Sequence, residues 1–339
     1  MAGAGLVGRR HMEAMGACQE TALCAIADPD PRAKDLAKGE GVPWFGDLPT
    51  LLAKARPDGL ILATPNAVHG EGARKAIDAG VPVLVEKPFV DDLSEGIAVV
   101  EAAEAARIPV LCGHHRRHNP LIVAAKERIA AGDLGTVVSV HASAWLKKPA
   151  SYFEAEWRTK PGGGPIMINL IHDIDLMRHL AGEITAVAAM ETNVVRGNPV
   201  EDAAAILVRF ESGAVGTLSV TDTVPAPWSW ELTAGENPAY PKTDAVCYMI
   251  GGTRGALELP AAALWRHEDG GSWWTPMTRT SLLRDTHNDP LVAQMKHFAA
   301  VVRGEETPRV TGLDGLKAVA IVEAIRNAAR SGKSVDVAL

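Results

Sequence analysis

Two stretches of the sequence carry residue types that do chemistry. The first runs Gly162-Gly163-Gly164-Pro165-Ile166-Met167-Ile168-Asn169-Leu170-Ile171-His172-Asp173-Ile174-Asp175, where a glycine triplet and a proline give way to a helical apolar pattern. Ile171, Ile174, Met177 and Leu180 share one face, and His172, Asp175 and His179 turn away from it. An imidazole held off the core side, with an unperturbed pKa of ~6.5, suits a general base near neutral pH. Asn169 is also an N-cap candidate, and Asp173 and Asp175 complement the positive end of the helix dipole, so these residues equally read as features of a helix start. The second stretch, Gly3-Ala4-Gly5-Leu6-Val7-Gly8, matches GxGxxG. Its glycines allow a tight turn, close backbone approach to a pyrophosphate and packing of the following helix. Thr21 to Ala27 is a short β-like run ending at Asp28, about 20 residues beyond Gly8, where a carboxylate bonds the ribose hydroxyls of NAD and repels the 2′-phosphate of NADP. Arg32 is the nearest cation that argues the other way.

These residues need a frame. The fingerprint should follow a strand of roughly 5–6 residues, yet only Met1 and Ala2 precede Gly3. Either the start lies upstream or the central strand is stunted. Beyond it, Asp58 to Thr64 reads as a buried strand, Glu71 to Ala79 as a helix, Val81 to Val85 as a strand, Leu93 to Ala106 as a helix and Ile108 to Cys112 as a strand. Strand and helix alternating in this way predict an α/β, doubly wound parallel sheet. Ligands bind such sheets beyond the carboxyl ends of the strands. That is where Asp28, Thr64-Pro65-Asn66 with His69, Glu86-Lys87-Pro88 and His114-His115-Arg116-Arg117 fall. Arg116 and Arg117, beside histidines, suit a carboxylate or phosphate on a substrate.

After about residue 120 the pattern changes. Val137 to Leu146, Ile184 to Val195, Ala203 to Phe210, Ala214 to Thr221, Asp244 to Ile250 and Ala256 to Leu259 are strand-like, and Glu211-Ser212-Gly213 makes a short hairpin connection. This predicts a mostly antiparallel sheet. Helices Leu291 to Val301 and Leu313 to Ala329 close the chain, and Trp228 to Lys242 is the longest irregular insertion. The domains are therefore expected at 1–117 and 118–339.

Composition removes several classes of function. A net charge of −7 argues against nucleic acid, which selects basic stripes. No 18-residue apolar run or secretion signal is present, and the four cysteines, Cys18, Cys24, Cys112 and Cys247, lack CxxC spacing. Buried, reduced thiols are expected, and with them a cytoplasmic protein. His172 and His179 with Asp175 could form a metal face, but the other motifs give a metal no role, and none is expected.

Gly3 to His11 (GAGLVGRRH), Ala27-Asp28-Pro29-Asp30, Ala63-Thr64-Pro65-Asn66 with His69, Glu86-Lys87-Pro88-Phe89, Gly162 to Asp175, and the pattern around His297-Phe298 and Gly312 to Val322 together resemble the Gfo/Idh/MocA oxidoreductases. The resemblance covers essentially the whole chain. It implies an N-terminal Rossmann domain with NAD in Gly3, Gly5, Leu6, Val7, Gly8, Asp28, Thr64, Pro65, Asn66, His69, Glu86 and Lys87. It also implies a C-terminal α/β domain whose open sheet makes homodimer or homotetramer contacts. The substrate would be a sugar, polyol or related hydroxy compound, with Lys87 and His172 working at the reacting hydroxyl. Apart from the resemblance, the rim position of His115, Arg116 and Arg117 and the place of Asn169 beside His172 make these four the expected substrate contacts. The chain departs from the pattern at Ile168, where members such as inositol dehydrogenase carry an aspartate, and at His115, where many carry asparagine. A non-catalytic NAD-binding regulator or sensor of the same fold is the alternative; a base and a charged donor together favour the enzyme.

Overall fold

The computed structural model describes residues 1–268, 271–282 and 289–339. The chain forms two compact units, Met1–His118 with Asp289–Val319, and Asn119–Asn288 with Ala320–Leu339.

In the first unit helix and strand alternate: α1 (Leu6–Gly16), β1 (Ile26–Ala27), α2 (Ala33–Gly39), β2 (Trp44–Phe45), α3 (Leu48–Ala55), β3 (Leu60–Leu62), α4 (His69–Asp78), β4 (Val83–Val85), α5 (Leu93–Ala106) and β5 (Val110–Cys112). β1 pairs with β2, and β3, β4 and β5 pair in that order, all parallel. Ala2 joins the two groups by bridging in parallel to Ala27 on one side and Leu62 on the other. Its N–H donates to Ile61 O at 2.9 Å and its carbonyl accepts from Ala63 N at 2.8 Å. A single residue thus holds the central place in the sheet, where a full strand is the norm.

Helices cover both faces of this sheet. On one, Leu51, Ala73, Ile77 and Val99 pack with Leu62, Val83 and Val85. On the other, Met12, Met15, Ile61, Leu84 and Leu111 pack with Met295, Phe298 and Val301 from the helix Pro290–Val302. Burying each such side chain contributes about 1.5–3 kcal/mol. That is why the chain returns to the first unit near its end, which a division into contiguous segments at 117/118 leaves out. Helix ends are set locally. Asp92 accepts Glu95 N–H at 3.0 Å at the start of α5, and Asp289 accepts Leu291 N–H at 2.9 Å before Pro290.

The second unit contains α6 (Pro120–Ala130), β6 (Val137–Trp145), α7 (Ile171–Ala181), β7 (Ile184–Thr192), β8 (Ala203–Phe210), β9 (Val215–Thr221), α8 (Trp230–Thr233), β10 (Tyr248–Gly252), β11 (Ala256–Leu259), β12 (Ala263–Arg266) and β13 (Thr278–Ser281). After α9 (Pro290–Val302), α10 (Gly312–Ser331) begins in the first unit and ends in the second, where β14 (Val335–Asp336) follows. The strands form one sheet in the order β13-β12-β11-β10-β6-β9-β8-β7-β14, antiparallel throughout except for the parallel β6–β9 pair. β8 alternates between buried Ala204, Ile206, Val208 and Phe210 and exposed Ala205, Leu207 and Arg209, the period of a sheet with one covered face. Register places Met190 beside Ala205, Leu207 beside Thr217, Val215 beside Arg209 and Met249 beside His141 on the other, open face. Among the described residues no helix is long and apolar enough to cross a membrane.

Candidate active site

The glycines of the first motif do separate jobs. Gly3 has φ +89°, and a Cβ there would sit 2.3 Å from Ala63 O; a Cβ at Gly8 would sit 2.0 Å from Gly3 O. Both are places where backbone meets backbone. At Gly5 a Cβ would meet nothing within 4 Å, so the protein's own packing does not require glycine there. Gly5 is the N-cap of α1 without a side-chain cap, the first turn has no acidic residue, and Leu6 is 85% exposed. The first N–H groups and the positive dipole end of α1 therefore face open space, an arrangement that receives a pyrophosphate. Asp28 Oδ2 accepts Ala4 N–H at 2.7 Å and Oδ1 accepts Asp30 N–H at 2.8 Å, leaving further lone pairs for ribose hydroxyls. Arg32 is engaged with Asp30, its Nε 2.8 and 3.0 Å from the two carboxylate oxygens. These residues fit NAD.

The next two loops divide into a rim and a support beneath it. Pro65 is exposed, Asn66 is half-buried, and Thr64 Oγ1 is buried with no hydrogen-bond partner among the described residues. His69, expected at the cofactor, is instead buried, with Nδ1 2.8 Å from Pro88 O and Nε2 3.0 Å from Thr64 O. Its ring ties the Thr64 loop to the residue after Lys87. Glu86 also lies beneath. Its Oε1 is 2.6 Å from Nε2 of the fully buried His11, and its Oε2 accepts Lys87 N–H at 3.0 Å. Burial pushes the Glu86 carboxyl up, but the His11 hydrogen bond and the charges of His11, Lys87 and His115 outweigh it and bring the pKa to about 2. Lys87 itself is half-buried and precedes a cis peptide bond to Pro88.

The arginines do not stand on the rim. His115–His118 is a short 3₁₀ turn in which Arg116 and Arg117 are buried. Arg117 Nη2 lies 3.2 Å from Asp314 Oδ1, and Nη1 donates to Arg309 O at 3.5 Å. A buried guanidinium needs a carboxylate partner, and Arg117 finds it 197 residues along the chain. Its expected role on a substrate carboxylate or phosphate gives way to a structural one, and the burial of Arg116 withdraws it from the rim as well. His115 remains half-buried, its charge felt by Glu86.

In the second unit the glycine triplet makes room for the chain itself. A Cβ at Gly163 would sit 2.5 Å from Trp157 O, and one at Gly164 would sit 2.2 Å from Glu201 Oε1. That Glu201 oxygen accepts Ile166 N–H at 2.9 Å, and burial raises the Glu201 carboxyl. Ile166–Leu170 forms a π-helical turn that runs straight into α7. Asn169 therefore lies inside a helical run and caps nothing, contrary to the sequence reading. Its Oδ1 is buried with no hydrogen-bond partner among the described residues, and single π-turns mark functional positions. The polar side of α7 does not face water either: His172, Asp173, Asp175 and Arg178 are all buried. Tyr248 OH donates a short hydrogen bond to Asp173, Arg178 Nη1 lies 3.7 Å from Asp175, and Arg178 Nε lies 2.9 Å from Glu183. Asp173 thus meets a tertiary partner, and Asp175 a cation one turn along the same helix.

Sequence reasoning passed over two groups. His11 belongs to the quoted GAGLVGRRH run, but nothing local marks it as a partner of Glu86. In the second unit, Lys148 lies 3.4 Å from Asp222, and Arg196 bridges Asp202 at 2.9 Å and Asp222 at 2.5 Å; these charges carry no motif.

The chain matches two family models, an oxidoreductase family with an NAD-binding Rossmann fold over residues 1–114 and the GFO/IDH/MocA C-terminal domain over residues 122–258. It is 26% identical over 331 residues to the rhizopine catabolism protein MocA of Rhizobium meliloti, covering 96% of this chain and 92% of that protein. It is 27% identical over 327 residues to the scyllo-inositol 2-dehydrogenase (NAD(+)) of Bacillus subtilis, covering 93% and 88%. Levoglucosan dehydrogenase in complex with NADH and levoglucosan shares the fold with a TM-score of 0.82 at 21% identity, over 100% of this chain and 98% of that one. So does the WlbA dehydrogenase from Bordetella pertussis in complex with NADH and UDP-GlcNAcA, at 0.79 and 24%, over 100% and 98%. The chain belongs to the GFO/IDH/MocA family of oxidoreductases, and its cofactor is NAD.

Proposed function

We propose that this protein is a dehydrogenase that oxidises or reduces a CH–OH carbon of a sugar, polyol or sugar-acid-like molecule, with Lys87 and His172 at the reacting oxygen. The observation that carries this reading is the placement of Lys87. It follows the carboxyl end of β4, half-buried, while Glu86 before it and Pro88 after it are buried and tied by His11 and His69. A cation fixed at that end of the sheet suits the stabilisation of a developing alkoxide. NAD, when bound, supplies the carbon that accepts or returns the hydride. Gly3, Gly5, Leu6, Val7 and Gly8 would hold its pyrophosphate and Asp28 its ribose, with Thr64, Pro65 and Asn66 as neighbouring contacts. The paired state of Arg32 supports NAD over NADP.

His172 takes or returns the hydroxyl proton. With Ile168 in the place of an aspartate, the buried Asn169 carbonyl oxygen is the group nearest in sequence that can receive a substrate hydroxyl. Because Arg116 and Arg117 are buried, the substrate needs no negative charge. Curated relatives named D-apiose dehydrogenase and scyllo-inositol 2-dehydrogenase support a neutral polyhydroxylated molecule. The apolar residues on the open sheet face, Met190, Leu207, Val215 and Met249, support a homodimer or homotetramer. The absence of disulfides among the described residues supports a cytoplasmic site of action.

A panel of sugars, polyols and sugar acids offered with NAD, followed at the absorbance of the reduced nicotinamide, tests the reading. Reduction with a neutral polyol or sugar is expected. Tight NAD binding with no reduction across the panel would favour a regulator or sensor.

A further inference from the structure

We propose that His11 is a positioning residue for Lys87, acting through Glu86. The proposal rests on the role given to Lys87 above. His11 lies on α1, the helix whose N-terminus faces the cofactor space, and is fully buried. Its Nε2 is 2.6 Å from Glu86 Oε1, and Glu86 turns its other oxygen to the backbone N–H of Lys87 at 3.0 Å. With Glu86 ionised, Nε2–H is the donor, and His11 Nδ1 has no hydrogen-bond partner among the described residues. A chain of two hydrogen bonds therefore runs from the cofactor-binding helix to the backbone of the lysine. Space around it is tight: a Cβ at Gly113 would fall 2.9 Å from Glu86 Oε1. The carboxylate has little room to move, and it feels the charge of Lys87.

A buried carboxylate without its donor loses this arrangement. It takes up a proton or rotates toward another donor, and in either case releases Lys87 N–H. Displacing a catalytic group by about 1 Å costs on the order of 10²-fold in rate. His11 thus serves kcat, while the pyrophosphate contacts of α1 serve cofactor affinity.

The test compares His11→Leu, His11→Gln, Glu86→Gln and Lys87→Met in the full-length protein, measuring kcat, substrate KM, NAD Kd and Tm. His11→Leu is expected to lower kcat about 10–100-fold with little change in NAD Kd. His11→Gln, which keeps an N–H donor, should recover much of the loss. Added to Lys87→Met, His11→Leu should lower the residual rate no further, because its effect passes through the lysine. If His11→Leu fails to fold, Glu86→Gln reads the same link, since it keeps the size and removes the charge. Wild-type kcat in a folded His11→Leu or in Glu86→Gln, or a full additive loss in the double variant, overturns the proposal. Full turnover in Lys87→Met instead overturns the role given to Lys87 itself, so the two failures are distinguishable.

Discussion

Gly5 in the first unit and Gly164 in the second each belong to a glycine cluster at the head of a helix, yet their surroundings are opposite. A Cβ on Gly5 would meet open space, and one on Gly164 would fall 2.2 Å from the carboxylate of Glu201. The first cluster leaves room for a ligand; the second leaves room for a side chain of the same protein. The buried carboxylates differ in the same way. Glu86 is held ionised beside His11 and Lys87, whereas burial raises Glu201, which accepts a backbone N–H. In the first unit the glycines leave the start of the helix open, while in the second the tertiary partners Glu201 and Tyr248 hold the segment that carries His172.

The largest expected effect separates glycines within one motif. Gly8→Ala would drive a Cβ into Gly3 O, where neither backbone can yield. We expect a loss of at least about 3 kcal/mol and no measurable NAD binding. Gly5→Ala should leave Tm within about 2 °C of wild type while weakening NAD about tenfold, since its methyl intrudes only on the space for the pyrophosphate. Calorimetry and NAD titration read both, and an equal drop in Tm for the two variants would erase the distinction.

Gly164→Ala carries the comparison into the second unit. It should displace Glu201 and shift the π-turn that leads to His172, lowering kcat by on the order of 10-fold or more with NAD Kd unchanged. A weakened NAD Kd with intact kcat would assign the triplet to the cofactor after all. Asp28→Ala should cut the preference for NAD over NADP, measured as a ratio of kcat/KM values, by about tenfold to a hundredfold. No change in that ratio would remove Asp28 from the ribose.

How much of this the sequence shows depends on what sets each feature. GxGxxG and the carboxylate Asp28 just after β1 are legible because they answer local backbone demands with residue types that have few other uses. α5 was legible from end to end, since Asp92 caps it. Strands of the first unit are shorter than their sequence runs: Asp58 to Thr64 yields only Leu60–Leu62, the three residues that pair with Val83–Val85, and the flanking residues are part-buried or exposed loop. β13 was missed because Thr278–Ser281 is wholly exposed and polar and has no alternating pattern to read. β14, at two residues, is too short for any periodicity. Arg117 and Asp173 pair with Asp314 and Tyr248, partners that tertiary packing chooses and sequence spacing does not show. The return of α9 to the first unit is invisible for the same reason, as an amphipathic helix does not state which sheet it covers.

The smallest expected effect is in stability against pH, and the two carboxylates should give opposite signs. The folded pKa of Glu86, about 2, lies below its ordinary 4.5. Its stabilisation is therefore complete above about pH 4.5 and is lost as pH falls toward 2. Glu201 is raised, so its ionisation costs stability above its ordinary range, and that cost is relieved as pH falls. Glu86→Gln should lower Tm at pH 7 and lose its effect only as the pH approaches 2, and Glu201→Gln should hold or raise Tm at pH 7. The same sign for both variants at pH 7 would contradict the contrast.

The most direct test of the account is turnover set against cofactor affinity for Lys87→Met and His172→Ala, using whichever substrate reduces NAD. Each variant is predicted to lose about 10²–10³-fold in kcat while NAD Kd stays at the wild-type value. Wild-type kcat in either variant, or a loss that tracks NAD affinity alone, would contradict it.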